Sequence, residues 1–253
     1  MWKKGSRLSL ATFFTLAAMC AAMLTVDSST ASAQTAAAPD RASIDAIVLD
    51  VIKDNPQVIL ETVNAYLQKQ QGERQQVALE EHSSRLFKGS PIAGNPEGDV
   101  TVVEFFDYRC GYCKRAWETV DRLIKEDKNL RVVFKDFPIL GPESETAARW
   151  ALAAEKQGKY LEFHHELMTH RGAFDVDTLS AMAEKLGLNA GRMRQDAQSA
   201  DVSTTIQMNR ALANDLGITG TPGFVVEDQL ISGAVPYESM VDAISKKRKE
   251  KKL

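Results

Sequence analysis

Val100-Thr101-Val102-Val103-Glu104-Phe105-Phe106-Asp107-Tyr108-Arg109-Cys110-Gly111-Tyr112-Cys113 is the stretch that decides the fold. Its first seven residues are β-branched and aromatic side chains interrupted by one glutamate, the composition of a buried strand. Two cysteines separated by two residues follow at once. Trp117, Val120, Leu123 and Ile124 then recur at helical spacing. A strand therefore delivers a pair of thiols to the start of a helix. Leu130 to Phe134 reads as a second strand, so the unit is βαβ, with a right-handed crossover and parallel strands.

The chain has 253 residues and three cysteines, and the third, Cys20, lies in the N-terminal segment. Lys3, Lys4 and Arg7 form a basic start, Leu8 to Val26 is apolar, and Ala31-Ser32-Ala33 is a small-x-small cleavage signal. That order reads as a secretory signal peptide over 1–33, with an uncleaved anchor as the alternative. Cleavage takes away three basic residues and one acid, so the net charge of −3 falls by two to −5. A mildly acidic chain argues against nucleic acid as a partner. One closely spaced cysteine pair excludes a disulfide scaffold, which uses several bridges between distant segments. Such a pair either trades electrons or grips a soft metal, and redox chemistry is the reading adopted.

Upstream of the strand, Ile44, Ile47, Val48, Val51 and Ile52 recur at helical spacing after an Ala-rich leader. Asn55-Pro56 interrupts them and suits a new helix start, which continues through Ile59, Leu60, Val63 and Leu67. The stripe is too narrow to bury itself, so the segment packs on the main domain, coils with copies of itself or is a disordered spacer; self-association of residues 44–71 into an oligomer is the preferred reading. Ser90-Pro91 and Gly94 to Gly98 mark a boundary of turn residues, giving a 34–90 leader and stalk and a 91–253 main domain. A helical section at about 142–216 follows the second strand. Then come Gly220-Thr221-Pro222-Gly223, two short strands and a closing helix lined by Tyr237, Met240, Val241 and Ile244. The basic run from Lys246 to Lys252 is read as the frayed end of that helix.

The order βαβ, helical insert, ββα resembles the thioredoxin fold, and the insert makes it DsbA-like. The resemblance covers about Val100 to Ile244. It rests on Glu104 to Tyr108 leading into Cys110-Gly111-Tyr112-Cys113, and on Gly220 to Phe224. The upstream helical segment is similar to that of ScsC-type proteins, the suppressor-of-copper-sensitivity group. The resemblance implies a periplasmic thiol–disulfide oxidoreductase acting on unfolded or misdisulfided secreted proteins. It also implies recycling by a DsbD/ScsB-like membrane thiol reductase; the group includes trimeric isomerases and monomeric members, and a trimer is the preferred expectation. No cofactor and no metal site are expected.

Cys110 at a helix start meets unpaired amides and the positive end of the helix dipole, which favour a thiolate. Cys113, one turn on, should be buried and thiol-like, ready to resolve a mixed disulfide. Glu104 in its apolar strand should be desolvated, its pKa raised, and suited to moving a proton to or from Cys113. The alternative is a partly exposed glutamate paired with Lys135 on the neighbouring strand. By resemblance, Thr221-Pro222 is the cis-proline loop facing the cysteines, with Thr221, Pro222, Gly111 and Tyr112 meeting substrate. Without that resemblance Thr-Pro-Gly is a turn.

His165 and His170 stand five apart, too far for two ligands on one helix face, so they are not a metalloprotease pair. His164 and His165 are read as polar or interfacial positions. Three functions remain: disulfide isomerase or reductase, DsbA-like oxidase, and Cu(I)-binding copper-tolerance protein using the same two thiolates. The first is preferred.

Overall fold

The computed structural model describes residues 40–87 and 89–251. The signal segment, Cys20 and the Ala-rich leader before Asp40 lie outside the described residues. In chain order the elements are α1 (Arg41–Asp54), α2 (Pro56–Glu81), α3 (Ser83–Phe87), β1 (Ile92–Gly94), β2 (Val100–Phe106), α4 (Gly111–Glu126) and β3 (Leu130–Asp136). The insert follows as α5 (Pro142–Glu155), α6 (Tyr160–Thr169), α7 (Val176–Lys185), α8 (Ala190–Asp196) and α9 (Ala200–Asp215). β4 (Gly223–Val226), β5 (Gln229–Ser232) and α10 (Tyr237–Glu250) close the chain.

β2 is buried at all seven residues and lies in the middle of a five-stranded sheet of order β1-β3-β2-β4-β5. It pairs in parallel with β3, Val100 opposite Leu130 through Phe106 opposite Asp136, and antiparallel with β4. This is the thioredoxin fold with the helical insertion between β3 and β4. Side chains alternate across a strand. Val102 and Phe106 pack with Cys113, Trp117 and the insert, whereas Val103 and Phe105 pack with Val133, Leu212, Leu216, Leu79 and Leu86.

The turn-rich boundary holds a strand that its glycine and prolines disguise. Ile92–Gly94 pairs antiparallel with β3. Gly94 sits at φ 77°, and a Cβ there would lie 2.4 Å from the Leu130 carbonyl oxygen. Only glycine permits that approach. The C-terminal basic run, described as far as Lys251, also departs from its expected frayed state. Arg248 bonds Asp99 at 2.8 Å and Asp127 at 2.9 Å, and Lys247 pairs with Asp228 and Lys251 with Glu227.

The chain divides into two units, one ending at Pro56 and the other beginning at Gln57. In the first, Asp40 caps α1 by accepting from the Ser43 amide at 2.8 Å, and the Asn55 side chain donates back to the Val51 carbonyl at 2.8 Å. No residue of α1 is buried. In the second unit, Ile59, Leu60, Val63 and Leu67 of α2 are exposed. The packing changes at Leu79. That residue and Leu86 of α3 are buried against Val103, Phe105 and Val133, so the last turns of the expected stalk belong to the core of the main domain. Leu86→Ala is expected to destabilise that domain by about 2–5 kcal/mol. Denaturant unfolding checks this, with thiol reactivity in the native state unchanged.

Candidate active site

The end of β2 and the first turn of α4 place the two sulfurs. Cys110 occupies the N-cap position of α4 in extended conformation and Cys113 the first turn; both are free thiols. Cys110 is 7% exposed and Cys113 fully buried. Both sulfurs are thus buried, Cys113 the more deeply. The Cys110 pKa is drawn down to about 5. The largest cause is a hydrogen bond from the Cys113 thiol, which outweighs burial; the Thr221 side chain and the amides of Cys113 and Tyr112 add to it. The amides expected from the helix start are present, but the partner thiol is the stronger support. Cys113 moves the opposite way, held protonated by burial and by its bond to the Cys110 sulfur.

Glu104 is fully buried, neither carboxyl oxygen has a hydrogen-bond partner among the described residues, and burial raises its pKa to about 8, with the Cys110 charge adding to the rise. Its charge in turn raises Cys113, so the two groups lie within electrostatic reach. The alternative pairing with Lys135 does not form. Phe134, not Lys135, stands opposite Glu104, and side chains one residue apart face opposite sides of a sheet. Lys135 instead donates to the Arg85 carbonyl at 2.9 Å, behind the sheet.

The Thr221-Pro222 peptide is cis. When protonated, Cys110 donates to the Thr221 carbonyl at 3.3 Å, so that loop faces the sulfur. Gly111 is exposed, and Tyr112 presents a 62% exposed ring with the Arg115 guanidinium 4.3 Å above it. Thr221 is half-buried and Pro222 buried. Of the seven residues singled out in the sequence, Glu104 lies on the central strand, Cys110, Gly111, Tyr112 and Cys113 at the head of α4, and Thr221 and Pro222 on the loop that faces the Cys110 sulfur.

The sequence reading missed a buried polar chain behind them. Tyr108 lies 2.9 Å through its hydroxyl from His164 Nδ1 and donates to the Tyr160 hydroxyl at 3.5 Å; Tyr160 donates to Asp136 at 3.0 Å. His164 is not interfacial: it is 0% exposed between Trp117, Phe134 and Phe106. Burial depresses its pKa to about 3, keeping it neutral, and raises Asp136 to about 8. His165 accepts from the Trp117 indole at 3.1 Å. Lys114 is anchored by the Leu167 and His170 carbonyls. Asp136 ends β3 opposite Phe106, and such a pairing becomes visible only once the strand register is known.

A thioredoxin fold with an acidic thiol at a helix head, a protonated partner one turn behind and a cis-proline loop opposite defines a thiol–disulfide oxidoreductase. Residues 101–245 match the DSBA-like thioredoxin domain, and the chain belongs to that family. A thioredoxin-like oxidoreductase from Silicibacter pomeroyi is 46% identical, with a TM-score of 0.63 over 65% of this chain and 96% of that one. The thiol-disulfide exchange protein alpha-DsbA2 from Wolbachia pipientis is 28% identical, TM-score 0.66, over 69% and 96%. A linker-deletion mutant of ScsC from Proteus mirabilis is 25% identical, TM-score 0.67, over 85% and 100%. The Na(+)/H(+) antiporter NhaA 1 of Salinispora arenicola is 31% identical over 156 residues, which are 61% of this chain and 24% of the antiporter. The match thus spans about a quarter of that curated relative.

Proposed function

We propose that the protein is a periplasmic disulfide isomerase and reductase for misdisulfided secreted proteins, assembled as a homo-oligomer, most simply a trimer, through residues 44–71. The Cys110 thiolate attacks a client disulfide, forming a mixed disulfide and expelling one client sulfur as thiolate. In the isomerase route a client thiolate displaces Cys110 and leaves the client with a new pairing. In the reductase route the Cys113 proton passes to the Glu104 carboxylate and the Cys113 sulfur displaces the second client thiolate. The client is then reduced and the chain holds Cys110–Cys113 as its disulfide. A DsbD/ScsB-like membrane thiol reductase would return it to the dithiol.

One observation carries the choice of isomerase: the apolar stripes of α1 and α2 stand exposed, Ile44, Ile47, Val48, Val51 and Ile52 on the first and Ile59, Leu60, Val63 and Leu67 on the second. Helices patterned in this way bury their stripes against copies of themselves. An oligomer offers several sulfurs around one client. The oxidase reading has its own support, because a thiolate of pKa about 5 stabilises the reduced form and makes the disulfide oxidising. Refolding of scrambled and of reduced client protein separates the two, alongside light scattering with and without residues 34–71. Activity on scrambled client that is lost with the stripe supports the isomerase. A monomer that oxidises reduced client overturns it.

A further inference from the structure

Asp107 spends its carboxylate on backbone groups. Oδ1 accepts from the Arg109 amide at 2.7 Å, and Oδ2 from the Ile139 and Leu140 amides at 2.8 and 2.9 Å. Its carbonyl accepts from the Cys110 amide at 3.0 Å, and its own amide bonds the Cys113 sulfur. One residue thus fastens the loop after β3 to the turn that carries both sulfurs. At its far end the loop enters α5 through Gly141 at φ 113°, a conformation that favours glycine.

Held in this way, the loop presents two apolar side chains to solvent, Ile139 at 40% and Leu140 at 49% exposure. Beside them lies an open cleft of about 570 Å³ lined by Pro138, Ile139, Gly141, Pro142, Glu145 and Arg210. Its two charged groups are paired with each other at 2.8 Å, and Arg210 also donates to the Pro138 carbonyl at 2.8 Å. A cleft whose charges are already matched favours an apolar occupant.

We propose that the Ile139–Leu140 loop and this cleft form a specificity subsite for an apolar residue flanking the client cysteine, and that Asp107 is the positioning residue holding it in place. The inference rests on the thiol-exchange reading and adds the class of client. The occupant is an extended, unfolded chain. A client sulfur attacked by Cys110 sits next to the Asp107 turn, and each extended residue carries the chain a further ~3.3 Å. A client attacked by Cys110 carries chain on both sides of its cysteine and so has flanking residues to offer the loop, whereas a small disulfide has none.

The test uses the full chain and three substrates: dithiobis(nitrobenzoate), and two disulfide-bearing peptides that differ only in leucine or serine beside the cysteine. The wild type is expected to favour the leucine peptide about tenfold in kcat/KM, the scale of burying one leucine. Ile139→Ser with Leu140→Ser, both exposed, should erase that preference through KM while leaving the rate with dithiobis(nitrobenzoate) within about twofold. Asp107→Asn should weaken the preference through KM as well, by loosening the Ile139 and Leu140 amides. If Asp107→Asn fails to fold, the double variant decides alone. A wild type indifferent to the flanking residue overturns the subsite, as does a double variant that slows all three substrates alike. A wild type unreactive towards dithiobis(nitrobenzoate) would instead overturn the exchange reading beneath it.

Discussion

Cys110→Ser is expected to lower turnover of every disulfide substrate by at least about 10⁴-fold, because it removes the nucleophile and nothing nearby replaces it. The reason is the asymmetry of the pair. Cys113 is fully buried and held protonated by burial and by its bond to Cys110, so it cannot make the first attack. Cys113→Ser should behave differently. The first attack survives, although without the Cys113 thiol the Cys110 pKa rises from about 5. The mixed disulfide then persists, because no second sulfur displaces it. Mass spectrometry after reaction with an unfolded disulfide-bonded client distinguishes the two: no adduct for Cys110→Ser, a stable one for Cys113→Ser.

Glu104→Gln is expected to slow the resolving step about a hundredfold and to stabilise the fold at neutral pH. The first effect follows from losing a carboxylate within electrostatic reach of Cys113. In the wild type this step should quicken as pH rises towards about 8, where Glu104 ionises; the glutamine variant should lack that rise. The second effect is linkage. The Glu104 pKa is raised in the folded state, from 4.5 to about 8. Below 4.5 both states are protonated and the residue costs nothing. Between 4.5 and 8 the unfolded chain releases a proton that the folded one keeps, so stability falls as pH rises, and the full cost holds above 8. That cost is a few kcal/mol. Asp136, raised from 3.8 to about 8 by burial, adds a loss of the same sign, which the variant retains. Urea unfolding at pH 4 and pH 8 checks both. Equal gains for the variant at the two values would contradict the buried, protonated carboxyl.

What could be read in advance follows from what each signal depends on. The βαβ unit, the dithiol at the helix head and the insert were legible because hydrophobic period and cysteine spacing are local. Glu104 was legible because a lone acid in an apolar strand stands out. Its supposed partner Lys135 was misplaced because side-chain direction depends on register, and a one-residue offset sends the two groups to opposite faces. β1 was hidden because three residues that follow a proline and end on a glycine carry too little pattern to separate strand from turn. The burial of His164 was invisible because it depends on four aromatic residues from other elements meeting around it: Phe106, Tyr108, Trp117 and Phe134. The Asp107 clamp was missed for the same reason, since two of its three carboxylate bonds cross thirty-odd residues of sequence.

The most direct measurement is the pH titration of the reduced chain, following thiolate absorbance with Cys113→Ser as a reference. Ionisation of a single sulfur at about pH 5, with the second silent through the alkaline range, is the outcome that the geometry around Cys110 requires. Two sulfurs ionising together near the ordinary cysteine value of about 8.5 would contradict it.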